Sequence, residues 1–256
     1  GRFSCADPNL QQMPAGSACR RCFRADPGSK LIIADYSQIE LRILADRSGD
    51  EKFIAAFNSG QDFHRTTAAD VFDVPPDEVT DDQRTFSKRL NFGLVYGISA
   101  SRFAMTAGIT KEESEDLMRK YFNTYRGLDA YLRESGRDVV VDRCARTGSG
   151  RLIKLIFDEN YRGQMSAAKR AGVNQPIQGT SADILKSALR LAHNAFKDTT
   201  GKLIAVIHDE VVVECVEAEA EMVAERLEWA MVTAGKKFIS KVPVIVEPVI
   251  SDRWLK

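Results

Sequence analysis

Two aspartates far apart in the chain each close an apolar, strand-like run: Asp35 ends LIIAD in LIIADYSQIELR, and Asp209 follows LIAVI in LIAVIHDEVVVEC. If folding brings those strand ends together, the paired carboxylates can hold divalent metal beside phosphates. Taken singly, each has a plainer reading. Asp35 could begin the turn into a helix, and His208-Asp209-Glu210 could be a solvated hairpin tip, since aspartate is common at both. Glu40, three residues after Ser37, could be the return half of a capping box.

A third segment, DDQRTFSKRLNFGLVYG, spaces Arg84, Lys88, Phe92 and Tyr96 by four, so on a helix they form one row that drifts by roughly 40° per step. Two cations one turn apart repel mildly unless an anion lies between them, and a polyphosphate is such an anion. The two aromatics beyond could stack on a base or cover a sugar. A surface helix with solvated cations and buried rings would explain the same pattern. In KRAGVNQPIQGT, the residues Arg170, Asn174 and Gln178 repeat the spacing and could reach minor-groove acceptors and sugars, or line an ordinary surface helix.

These residues need a scaffold, and the chain reads as one that can build it. Its 256 residues, 44% hydrophobic and 28% charged, are ordinary for a globular protein of one large domain or two small ones. Lys+Arg and Asp+Glu both total 36, so any basic surface must be local. No apolar run approaches the roughly 20 residues of a membrane span, and GRFSCADPNLQQMP lacks a signal-peptide pattern, so an intracellular protein is expected. The five cysteines are odd in number, and the one CxxC, Cys19 to Cys22, has no second pair and no histidine cluster. The opening on Gly1 rather than Met reads as a piece of a longer chain.

The first 30 residues read as loop, LIIAD as a buried strand, and Ser37 with Glu40 as a capping box opening a helix. From about Asp50 to Tyr131 the pattern is helical, broken at VPPDE, restarted at Thr80 with Gln83, and stopped near YGISAS. VVVDRCARTGSGRLIKLIF reads as two strands about a glycine turn, and KRAGVNQPIQGTSADILKSALRLAHNAF as two helices parted near Pro176. LIAVIHDEVVVEC reads as a hairpin turning at His208 to Glu210, followed by a helix and a last strand, VPVIVEPVI. The result is an α+β plan whose sheet draws on both ends of the chain, which lets Asp35 and Asp209 meet.

In order and wording these segments resemble the polymerase region of family A DNA polymerases, the bacterial DNA polymerase I type, nearly from Gly1 to Lys256. DYSQIELR resembles the family's first palm motif, RxxxKxxNFGxxYG its fingers helix and VIHDE its last palm motif; GRFSCADPNLQQMP and RAGVNQPIQGTSAD also match. The stretch after GSGRLIKLIF departs from the family's wording. The resemblance implies a right-hand polymerase fold, with an antiparallel palm sheet from residues 1–45 and 165–256 and mainly helical fingers from 46–164. The family's thumb would lie before Gly1, absent from this chain, as would any nuclease domain.

The resemblance further implies template-directed DNA synthesis from dNTPs on a primer-template, in the cytoplasm at the nucleoid, or in a phage-infected cell or organelle, with no membrane partner. Asp35 and Asp209 would hold two Mg²⁺ ions, for which Mn²⁺ could substitute, with Glu210 supporting. Lys88 and Arg84 would hold the triphosphate, Lys88 also serving as proton donor to pyrophosphate, with His64 in DFHRTTA another phosphate contact. Tyr36, Phe92 and Tyr96 would meet the nucleotide, and Glu40 would occupy the space of a ribose 2′-hydroxyl. Arg2, Arg170, Asn174, Gln178 and His208 would touch the primer-template. Two rivals remain at this point: a single-subunit RNA polymerase, against which Glu40 and the HDE wording speak, and a non-catalytic DNA-binding fragment needing an upstream thumb or partner chain.

Overall fold

The structure, a computed structural model, describes residues 1–14 and 16–255 and, of Val95, the backbone alone. In chain order its elements are β1 (Ser29–Asp35), α1 (Ile39–Ser48), α2 (Glu51–Asn58), α3 (Phe63–Phe72), α4 (Asp81–Val95), α5 (Ala100–Ala107), α6 (Lys111–Thr124) and α7 (Arg126–Asp142). There follow β2 (Cys144–Arg146), β3 (Leu152–Lys154), α8 (Arg162–Ala195), β4 (Lys202–Ile207), β5 (Glu210–Val216), α9 (Ala220–Lys236) and β6 (Val249–Ser251). No helix among the described residues is long and apolar enough to cross a membrane.

The chain divides into two compact units. The first comprises residues 1–39, 179–238 and 244–256 and holds an antiparallel sheet in the order β4-β5-β1-β6. Central β1 buries Leu31, Ile32, Ile33 and Ala34 in succession, as an apolar strand covered on both faces must. Leu31, Ile33, Ile207, Val212 and Trp254 form one buried cluster. Helix α9 packs on β1, burying Val223, Leu227, Ala230, Met231 and Ala234 at helical spacing. Gly235 is required here, because a Cβ at that position would stand 2.7 Å from Val244 Cγ1.

The second unit, residues 40–178 and 239–243, is mainly helical. Its centre is a cluster of rings: Phe53 meets Phe57, Phe63 and Tyr125 edge-on, and Phe57 stacks on Phe63 with centroids 4.2 Å apart. Buried Asp50 ties two helix starts together. Its Oδ1 accepts from the Phe53 amide at 2.9 Å, capping α2, while Oδ2 accepts from the Gly127 and Leu128 amides at 2.8 and 3.2 Å, at the start of α7.

The α+β plan with an antiparallel sheet stands, and several local expectations are corrected. Helix α8 runs unbroken through Pro176, because the burial of Val173, Ile177, Ile184 and Leu185 along it outweighs the hydrogen bond a proline removes. The VVV run closes α7 instead of forming a strand. Val139 is buried there at the point where Gly172 approaches so closely that an added Cβ would lie 2.7 Å from Val139 and from the Ser135 carbonyl, so packing overrides β-branched propensity. Between Pro243 and Pro248, VPVIVEPVI forms a single bridge at Val246, and the ladder begins only at Val249. The hairpin turn is His208-Asp209, with Glu210 already in β5.

Just ahead of α1, Gln38 holds φ +54° and the Ser37 amide donates to the Ile245 carbonyl. The grouping of contacts divides the chain between residues 39 and 40 and between 178 and 179. Residues from Glu40 join the helical unit through Arg42 to the Pro243 carbonyl and Asp46 to the Ser240 and Lys241 amides. The Gly172 approach likewise carries the stretch up to Gln178 into that unit.

Replacing Asp50 with Ala removes three backbone partners at two helix starts at once. The expected loss is about 2–4 kcal/mol, read as a fall in the urea midpoint at unchanged m-value. A loss within a few tenths of a kcal/mol would show that the double cap contributes little.

Candidate functional site

In the sheet unit, β1 pairs antiparallel with β5 from Ser29↔Val216 to Asp35↔Glu210. Asp209 immediately precedes Glu210 in the two-residue connection from β4, so strand register brings Asp35 and Asp209 to the same end of the sheet. Both are partly exposed. His208 is exposed and holds φ +56°, the positive value that tight hairpin turns require at their first central position and that a side chain makes uncommon. Arg2 is exposed as well.

Two of the expected site residues in this unit have side chains committed within the fold. Tyr36 is 2% exposed, its hydroxyl donates to the Met231 carbonyl at 2.8 Å, and burial holds its pKa well above the ordinary value. Its ring is therefore part of the core beneath α9, so a nucleotide could meet only the backbone. Glu210 is 6% exposed and committed within the fold, accepting at Oε1 from Trp254 Nε1 at 2.8 Å and from Arg20 Nη1 at 3.4 Å. The carboxylates with exposed surface at this end are Asp35 and Asp209. Among the described residues no group of three or more His, Cys, Asp or Glu side chains is placed to hold a metal. A pair of carboxylates instead of a cage is nevertheless what Mg²⁺ uses when substrate phosphates and waters complete its shell.

In the helical unit, Thr80 caps α4 through the full reciprocal box with Gln83, and acidic Asp81 and Asp82 occupy the first turn. The helix carries the cation-aromatic row. Arg84 donates through Nε and Nη2 to Asp62 Oδ2 at 2.9 and 2.6 Å, while Asp62 Oδ1 caps α3 through the Arg65 amide. Burial raises the Asp62 carboxyl, but the Arg84 bond and the Arg65 amide outweigh it and leave it below its usual range. Lys88, one turn on, is exposed. Phe92 is half-buried, and Tyr96, 43% exposed at the end of the helix, donates its hydroxyl to Glu40 Oε2 at 2.9 Å.

His64 is held within the helical unit. It is 3% exposed, with Nδ1 3.1 Å from Asn91 Nδ2, and Asn91 Oδ1 in turn accepts from the Tyr121 hydroxyl at 2.9 Å. The Asn91 amide group donates to Nδ1, which puts the ring proton on Nε2. Burial first, then the neighbouring Lys88 and Arg84, push its pKa down to about 4 against the pull of Asp62. As placed, His64 is a buried neutral ring offering an anion no charge. Sequence reasoning missed Asp62, Asn91 and Tyr121 because their roles depend on contacts between helices; only the N-cap position of Asp62, just ahead of FHRTTA, left a local signal.

Arg170, Asn174 and Gln178 lie on successive turns of α8, Arg170 exposed and the other two half-buried. Arg170 Nη1 bonds Ser166 Oγ at 2.7 Å, and its stem packs on Gly97, where φ is +64° and a Cβ would stand 3.1 Å from Arg170 Cγ. With Arg133, Arg137 and Lys169 it lines a cleft of about 460 Å³, the local basic surface that a chain of zero net charge must have if it is to meet phosphates.

Comparison with known proteins places this architecture. The profile described as DNA polymerase family A matches residues 1–256. DNA polymerase I of Pseudomonas aeruginosa is 38% identical over 261 residues, which is 99% of this chain and 28% of that protein. DNA polymerase I of Aquifex aeolicus is 38% identical over 264 residues, 100% of this chain and 44% of the relative. A solved structure, the POL domain of Pol1 from M. smegmatis in complex with DNA primer-template and dNTP, matches with a TM-score of 0.93 and 36% identity, over 99% of this chain and 46% of that one. The chain belongs to DNA polymerase family A. It spans less than half the length of these relatives.

A histidine whose folded pKa lies below its unfolded value takes up a proton on unfolding. The contribution of His64 to stability is therefore complete above about pH 6.5 and is lost as pH falls toward about 4. Over that window His64→Gln should flatten the fall in unfolding free energy by on the order of 3 kcal/mol. NMR should find the ring unprotonated at pH 5.5; a charged His64 there would contradict the buried neutral assignment.

Proposed function

We propose that this chain carries out template-directed DNA synthesis, adding deoxynucleotides to a primer 3′-hydroxyl with release of pyrophosphate. The observation that carries the reading is the register that sets Asp35 and Asp209 at one end of the sheet, in a chain that belongs to DNA polymerase family A. The relative from M. smegmatis, described in complex with primer-template and dNTP, supports DNA and nucleotide as the partners. The place of work would then be wherever the cell keeps its DNA.

Each unit contributes its own chemistry. Asp35 and Asp209 would hold two Mg²⁺ ions, which when bound lower the pKa of the primer hydroxyl and neutralise charge on pyrophosphate. In the helical unit Lys88, exposed one turn after the paired Arg84, would bind the triphosphate and give a proton to the departing pyrophosphate. Arg84 reaches an anion only by sharing or leaving Asp62, so of these two cations Lys88 is the more available. The exposed ring of Tyr96 and half-buried Phe92 would flank the sugar and base. Glu40, fixed by the Tyr96 hydroxyl, would exclude a ribose 2′-hydroxyl. Arg2, Arg170, Asn174, Gln178 and His208 would hold the primer-template through backbone and minor groove without reading sequence.

Primer extension tests the reading. Asp35→Ala and Asp209→Ala should each reduce extension to background while leaving the thermal unfolding midpoint near the parent's, and Lys88→Ala should slow incorporation by about 10²–10⁴-fold. Glu40→Ala should raise the use of rNTPs relative to dNTPs. Extension at the parent's rate by either aspartate variant would sink the carboxylate assignment.

A further inference from the structure

Glu210 sits directly across the strand pair from Asp35 and next in the chain to Asp209, yet its carboxylate faces a built receptor inside the fold. Trp254 Nε1 donates to Oε1 at 2.8 Å, and Arg20 Nη1 donates to the same oxygen at 3.4 Å, with both side chains of the ion pair 8% exposed. The Arg20 guanidinium also lies over the Trp254 ring, 4.3 Å from its centroid, and Arg20 Nε donates to the Met13 carbonyl at 3.3 Å. Trp254 is itself fixed: its amide donates to the Phe23 carbonyl at 3.1 Å, and its ring meets Phe23 edge-on and joins the cluster of Leu31, Ile33, Ile207 and Val212. A stacked, hydrogen-bonded guanidinium and an indole N–H thus hold one carboxylate at a fixed depth.

We infer that Arg20 and Trp254 are positioning residues that withhold Glu210 from the metal and so limit the ion to Asp35 and Asp209. The inference rests on the proposed role of those two aspartates. Three carboxylates within reach of one ion would bind it more tightly and leave fewer of its positions for substrate phosphate and water. Neutralising the third by a buried cation keeps the site weakly chelating, as a step that must exchange phosphate ligands requires. The same clamp steadies the first residue of β5, and through it the turn that presents Asp209.

Mn²⁺ binding to the full chain without DNA or nucleotide, read by the EPR signal of free ion, separates this role from a merely structural one. Trp254→Phe and Arg20→Gln each release Glu210, and Mn²⁺ should bind several-fold more tightly than to the parent, while kcat falls by about tenfold or more with the KM for nucleotide little changed. Arg20→Lys should return binding toward the parent value. Glu210→Gln alone should bind Mn²⁺ like the parent, and Trp254→Phe combined with Glu210→Gln should lose the gain.

Weaker binding in Glu210→Gln would make Glu210 a ligand and overturn the clamp. Unchanged binding in both Trp254→Phe and Arg20→Gln, with only stability lost, would overturn it too. If Trp254→Phe does not fold, Arg20→Gln and its lysine counterpart decide the matter alone. Asp35→Asn and Asp209→Asn should abolish binding; parent-like binding in those variants would overturn the carboxylate-pair reading itself, an outcome distinct from failure of the clamp.

Discussion

The antiparallel register of β1 against β5 is the constraint on which the placing of Asp35 and Asp209 depends. A shift of one residue would exchange the two faces of β1, moving Lys30 or Asp35 toward the core that Leu31 to Ala34 now fill. That penalty fixes the pairing of Asp35 with Glu210, and the two-residue turn leaves Asp209 no freedom to sit elsewhere. Two acidic residues are therefore held at one end of the sheet by apolar burial along the strands.

The helical unit handles charge differently. Its cations differ in what they are bonded to: Arg84 to the Asp62 carboxylate, Arg133 to the Asp129 carboxylate, and Arg170 to the neutral hydroxyl of Ser166. Zero net charge for the whole chain thus conceals local imbalance, with Lys88 exposed on α4 and Arg137, Lys169 and Arg170 around one cleft. His64 falls outside this group because burial beside Asn91 makes its charged form costly, and the two nearby cations add to that cost.

What could be read from sequence was whatever depends on near neighbours in the chain or on the ends of strongly apolar runs. Thr80 and Gln83 form the box that their spacing announced, and the four-residue steps of Arg84, Lys88, Phe92 and Tyr96 lie on one helix. That Asp35 and Asp209 would lie at one end of the sheet could be foreseen because each follows an apolar strand. The misses were decided by packing. Val139 is helical because Gly172 lets two helices close on it, and Pro176 stays inside α8 because its neighbours are buried. Tyr36 points into the core because α9 lies over it, and His64 is neutral because the helices around it bury the ring, with Lys88 and Arg84 adding to the cost of its charge. None of these contacts has a local signature.

The Glu40–Tyr96 bond shows how such contacts join elements distant in the chain. A carboxylate on the first turn of α1 is free in principle to rotate. Here its oxygen accepts from a hydroxyl at the C-cap of α4, the helix that carries Arg84 and Lys88. Glu40 therefore cannot change rotamer without breaking a bond to that helix, and the end of α4 cannot shift without disturbing Glu40. The first turn of α1 and the end of α4 thus become one mechanically linked group of residues. A ring at position 96 with no hydroxyl to donate would leave the two helix ends independent.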